Sequence, residues 1–75
     1  INIFLENPLI VGEAKGYAES VDEVMRLLRK AELIKARYSK ESRKVLVILS
    51  AKRGAAGEIR RISGERNIKL VIGRY

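Results

Sequence analysis

The sequence predicts an α/β fold: a β-hairpin followed by α-β-α-β, giving a mixed sheet flanked by two helices. Three observations carry this expectation. Val45–Leu49 is an unbroken run of β-favouring apolar residues, the pattern of a strand buried on both faces. Val24, Leu27, Leu28, Ala31, Ile34 and Tyr38 recur at spacings of three and four, which is one apolar stripe of a helix. After the hairpin, strand-like and helix-like segments alternate, which favours parallel pairing through right-handed crossovers.

Taken in order, Ile1–Leu5 has strand composition, and Glu6-Asn7-Pro8 supplies turn chemistry before a second strand over Leu9–Lys15. Gly16 marks the exit from that strand. Ser20-Val-Asp-Glu23 has the spacing of a capping box, in which the Ser20 hydroxyl accepts from the Glu23 amide and the Glu23 carboxylate reaches back. Asp22 and Glu23 also suit the positive end of the helix that follows, which runs to about Tyr38. Arg26, Arg29, Lys30 and Arg37 lie mostly off its apolar stripe. Ser39–Lys44 is a polar loop, Val45–Leu49 the third strand, and Lys52-Arg53-Gly54 a basic turn. A second helix over about Ala55–Arg66 buries Ile59 and Ile62, Asn67 ends it, and Ile68–Ile72 is the last strand.

The chain has 75 residues, enough for one small domain over 1–75. Its first residue is Ile1 and its first residues already read as a strand. This points to a fragment whose N-terminal part lies elsewhere, with a missing segment or a second copy covering the first strand. The longest apolar run is five residues, far short of the ~20 of a membrane span, and no secretory signal is present. A cytoplasmic protein without a membrane partner is therefore expected. There is no cysteine and no histidine, which excludes disulfide scaffolds, thiol nucleophiles, Cys/His zinc sites and Ser-His-Asp chemistry. Any catalysis must use carboxylates, lysine, arginine, tyrosine or serine.

The formal charge is +7, and it is unevenly placed. Residues 1–25 hold one lysine against five acidic residues, a net of −4; residues 26–75 hold fifteen basic residues against four acidic ones, a net of +11. A strongly basic segment beside a small acidic one suits a polyanion partner together with a cation site. The candidate nucleic-acid contacts are Arg26, Arg29 and Lys30 on the first helix, and Lys52, Arg53, Arg60 and Arg61 around the second. The same balance, with no Gln, Thr or Cys, also matches the charged solvated surfaces that thermophiles favour. The aromatics Phe4, Tyr17, Tyr38 and Tyr75 are too scattered to form a stacking platform.

Within Val11-Gly-Glu-Ala-Lys-Gly16 lies Glu-x-Lys at a strand end. Residues two apart in a strand share a face, so Glu13 and Lys15 project together. A carboxylate so placed holds Mg²⁺, and the ammonium orients a metal-bound water or offsets phosphate charge. The plainer alternative is a surface ion pair at the end of a strand. The succession of hairpin, VGEAKG, the helix SVDEVMRLLRKAEL, the strand VLVILS, a basic helix and the strand IKLVIG resembles the PD-(D/E)xK nuclease superfamily. More narrowly, it resembles an archaeal group of restriction-endonuclease-like proteins.

That resemblance implies a restriction-endonuclease-like core lacking its first helix and strand, and Mg²⁺- or Mn²⁺-dependent hydrolysis of DNA. Glu13 is then a metal ligand, the Ala14 carbonyl a second, and Lys15 the group acting on water or phosphate. Asn2 stands in the register of the family's other acidic ligand, and an amide brings no charge to a metal. This departure separates an active endonuclease from a degenerate one that only binds DNA.

A second resemblance competes. Gly54-Ala-Ala-Gly57 followed by Glu58-Ile-Arg-Arg-Ile62 is similar to the GxxG signature of KH domains, which implies a backbone turn clamping single-stranded RNA or DNA. The strand-like Val45–Leu49 departs from that family, which has a helix there. A non-catalytic nucleic-acid-binding module is thus the alternative to the nuclease. A dimerisation domain using the hairpin edge is a third reading.

Overall fold

The computed structural model describes residues 2–74, and of residues 2 and 74 only the backbone. The elements are β1 (Asn2–Glu6), β2 (Leu9–Ala18), α1 (Asp22–Tyr38), β3 (Arg43–Ala51), α2 (Arg53–Glu65) and β4 (Ile68–Arg74). They form the expected α/β arrangement, a four-stranded mixed sheet in the order β1-β2-β3-β4. β1 and β2 are the antiparallel hairpin, while β2–β3 and β3–β4 are parallel. Two crossovers of the same hand stepping in one direction leave both helices on the same face of the sheet.

The core follows from that arrangement. Val11 on β2, with Leu46 and Ile48 on β3, meets Val24, Leu27 and Ala31 of α1 and Ala55, Ala56, Ile59 and Ile62 of α2. All belong to one buried cluster, so the predicted stripe of α1 is the packed stripe. Tyr38 is half-buried, its ring centroid 6.0 Å from that of Phe4.

Three local expectations are corrected. β2 does not end at Gly16 but continues to Ala18, because Tyr17 and Ala18 pair with Ser50 and Ala51 of the longer β3. The capping box does not form. The N-cap is Val21, and the Ser20 hydroxyl accepts from the Asp22 amide at 3.2 Å, leaving the Glu23 carboxylate for other partners. Finally, β3 is not covered on both faces. Leu46 and Ile48 are buried under the helices, but Leu49 is 69% exposed and Val45 and Val47 only half-buried on the other face. With Leu5 and Val71 also exposed there, the sheet carries an apolar face that no described element covers.

Gly12 is a tight point of the sheet, as is Gly73 of β4 against the Leu49 carbonyl. A Cβ built there falls 2.7 Å from the Val45 carbonyl oxygen and 3.3 Å from Ile3 Cβ. The first neighbour is backbone within the β2–β3 ladder, so it has little freedom to retreat. Gly12→Ala is expected to cost about 1–3 kcal/mol, the range of an overpacked core. Leu49→Ser, on the uncovered face, should change stability by no more than ~0.5 kcal/mol. Urea unfolding of the two variants checks both values.

Candidate functional site: a charge cluster between β2 and α1

The Glu-x-Lys motif sits in the middle of β2, on the face turned towards α1. Because α1 runs back along β2, the later residue of the motif meets the start of the helix and the earlier residue meets its middle. Lys15 Nζ lies 3.9 Å from the Glu23 carboxylate. Glu13, 4% exposed, accepts from Lys30 Nζ at 3.1 Å. The same ammonium donates to the Gly12 carbonyl at 2.9 Å. Arg26 completes the cluster, 3.6 Å from Glu23. Glu13 and Lys15 thus project together as the spacing predicts, but each is joined to an opposite charge on α1. A buried carboxylate needs such a partner, since desolvating it alone is costly.

Magnesium, which the nuclease resemblance implies, is a poor fit to these side chains. A hard divalent cation needs about six oxygen ligands and is usually held through one or two carboxylates. Here the buried carboxylate already accepts from an ammonium, and Glu23 faces two cations. Among the described residues no three acidic side chains converge. Ala14, named as a second ligand, pairs with Val47 in the β2–β3 ladder and lines the opposite, apolar face with Val47 and Leu49. Asn2 is paired in register with Glu13, but its side chain lies outside the described residues.

The predicted nucleic-acid contacts do not form one surface. Arg26 and Lys30 are taken up in the β2–α1 cluster. Arg61 is held by Glu58 at 2.9 Å and Glu65 at 3.3 Å along α2. Arg60 is exposed on the same helix, and Arg29 on α1. Lys52 and Arg53 are exposed where α2 begins. Gly54–Gly57 is part of that helix, which starts at Arg53 directly after β3, and no described glycine has positive φ. The GxxG turn of a KH domain is therefore not formed, because α2 begins at Arg53, ahead of both glycines and two residues before the expected Ala55. The amides ahead of the first helical bond, which runs from Ala56 N to Lys52 O at 2.9 Å, are those of Arg53, Gly54 and Ala55.

Sequence reasoning missed other charged residues. The sequence pattern gives Glu23 a helix-capping role, and in the structure it instead meets Lys15 and Arg26. Lys35, Lys44, Arg66 and Lys69 enter the sequence reading only through the basic charge after residue 26, yet they gather at the end of the molecule where both helices finish. Only their tertiary placement brings them together. Lys35 there pairs with Glu41 at 2.6 Å. That hydrogen bond and charge hold the Glu41 carboxyl below the usual carboxylate range and raise the Lys35 ammonium. The Arg61 contact lowers Glu58 in the same way.

No protein-family model, no curated protein and no solved structure matches the chain. Among the described residues, no helix is long and apolar enough to cross a membrane.

Lys30→Met should destabilise the fold by about 2–4 kcal/mol, because it strands a buried carboxylate. Lys30→Met combined with Glu13→Gln should cost less than the sum of the two single changes, a coupling that a double-mutant cycle measures. Glu41 and Glu58 have lowered folded-state pKa values, so their pairs stabilise fully above the ordinary carboxylate range and lose that contribution as pH falls through the lowered values. Carboxyl NMR titration should therefore place both midpoints below 4.5, and Lys35→Met should return Glu41 alone towards it.

Proposed function

We propose that this domain binds DNA through its basic surface and does not cut it with its own described side chains. The observation that carries the reading is how the acidic residues after α1 are used. Glu41 is paired with Lys35, while Glu58 and Glu65 are both paired with Arg61. Two cations thus occupy all three carboxylates of that stretch. Arg43, Lys44, Lys52, Arg53, Arg66 and Lys69 have no ion-pair partner among the described residues. Cations left without internal counterions can neutralise backbone phosphates and so release the cations condensed on the nucleic acid, which is the main source of affinity in such complexes.

The start of α2 supports the same reading. Its N-cap is Lys52 with no side-chain cap, its first turn holds no acid, and Arg53 is the first helical residue. Positive side chains at the positive end of a helix lower its stability by a few tenths of a kcal/mol or more. A phosphate group seated there would relieve that repulsion and accept from the free amides. The nuclease resemblance enters as a fold whose cation position at Glu13 is served by Lys30, so the chemistry is absent and the polyanion binding remains.

Fluorescence anisotropy with labelled duplex and single-stranded DNA tests this. Three to four phosphate contacts on duplex predict that affinity falls roughly 50–150-fold between 50 and 200 mM salt. Glu13→Ala, provided it folds, should leave binding unchanged. Incubation with Mn²⁺ should give no cleavage product. Metal-dependent cleavage lost in Glu13→Ala would restore the nuclease reading, and absence of binding at 50 mM salt would end the nucleic-acid reading altogether.

A further inference from the structure

Two adjoining concavities run along the end of the molecule where α1 and α2 finish. The first, about 620 Å³, lies between α1 and the end of α2, with Met25 and Leu28 on its apolar wall and Arg29, Lys44 and Arg66 on its polar side. The second, about 530 Å³, opens where β3 and β4 begin, between Arg43, Lys44 and Lys69. Lys44 and Glu41 line both, so the two adjoin across these side chains as the lobes of one grooved surface. Six basic residues, counting Lys35, face two acidic ones, Glu32 and Glu41.

Part of that charge has a structural use. Two helices end here, each bringing about half a negative charge, and cations at helix C-termini are stabilising. Subtracting both ends still leaves roughly +3. Arg43, Lys44 and Lys69 belong to strands and have no helix end to serve. Lys44 shares the first lobe with Met25 and Leu28, while Arg43 and Lys69 line the adjoining one, and this clustering needs another explanation.

We infer that this groove is the seat of a short single-stranded nucleic-acid segment. Its backbone would follow Arg66, Lys44, Arg43 and Lys69, with bases lying against Met25 and Leu28. The inference rests on the nucleic-acid reading above and adds the site and the strandedness. Each lobe falls in the ~300–1,000 Å³ range of sites that enclose a small ligand, a scale suited to single nucleotides. A duplex is convex and keeps its bases inside, so it reaches only the basic rim. A single strand offers phosphates to the cations and base faces to the apolar wall at once.

The test compares three proteins by anisotropy with a labelled twelve-residue oligo(dT) and a twelve-base-pair duplex. They are the unaltered chain, the triple variant Arg43→Ser/Arg66→Ser/Lys69→Ser, and the pair Lys52→Ser/Arg53→Ser. All three altered groove residues are exposed, and circular dichroism melts confirm folding. The triple variant should lose at least tenfold in oligo(dT) affinity, flatten the salt slope by about 2, and lose less on duplex. The pair at the start of α2, which belongs to the wider basic surface, should lose more affinity on duplex than on oligo(dT), the reverse of the triple variant.

Lysine acetylation of the unaltered chain gives a readout that needs no variant to fold. Oligo(dT) should protect Lys44 and Lys69 but not Lys15, which is held by Glu23. Binding by the unaltered chain, with the triple variant within twofold of it and no protection at Lys44, overturns the groove and leaves the wider reading standing. Absence of binding by the unaltered chain overturns both.

Discussion

The ammonium of Lys30 joins the two layers of this domain. It donates to the Gly12 carbonyl and to the Glu13 carboxylate, and so ties the middle of α1 to the centre of β2. Gly12 is also where β2 approaches the β3 backbone too closely for a side chain. One short stretch of strand thus sets both the sheet spacing and the seating of the helix above it. The contact is polar inside a largely apolar layer, and its strength depends on every member being satisfied. A lysine suits this place because its long stem covers apolar surface while its head reaches the carboxylate.

The same cluster decides how the Glu-x-Lys spacing should be read. On a strand, the spacing guarantees only that two side chains share a face. Whether the carboxylate faces a cation from solution or one from the protein depends on what the covering helix presents. Here α1 presents Lys30 over Glu13 and Glu23 over Lys15, so charges alternate between strand and helix. This pattern supplies counterions internally and lowers the need for metal, without altering the motif. An alanine in place of Lys30 would leave the motif unchanged while its buried acid lost its described cation.

Much of the fold is legible in the sequence, and the failures have identifiable causes. The α1 stripe is readable because Val24, Leu27 and Ala31 follow the helix period and their burial obeys it. The alternation of strands and helices likewise implies the parallel pairs. Gly16 misleads because a glycine on an uncovered sheet face weakens a strand locally, while pairing with β3 sustains it. Ser20 and Glu23 match a capping box, but the buried position of Glu23 beside Lys15 outweighs one end-of-helix hydrogen bond. Val45–Leu49 has the composition of a doubly covered strand because composition records what a face prefers, whereas coverage depends on where the crossovers place the helices. The groove is the least legible feature. Arg29, Lys44, Arg66 and Lys69 are spread over forty-one residues, and only two crossovers of one hand bring them to the same end.

That end-to-end arrangement also constrains how a polyanion meets the molecule. Lys52 and Arg53 lie where the parallel strands finish, and Arg43, Lys44 and Lys69 lie where β3 and β4 begin. β3 has nine residues, so the two groups are separated by about 27–30 Å at the rise of a strand. That distance is about three and a half Debye lengths at physiological salt, so the groups act on a ligand almost independently. Between them α2 offers Arg60 beside Arg61, the latter neutralised by Glu58 and Glu65, so the positive track is interrupted. A single strand short enough to fill the groove would therefore meet one cluster only. A longer one reaching both would gain by the effective concentration of a second contact, making affinity depend on length more steeply than on base composition.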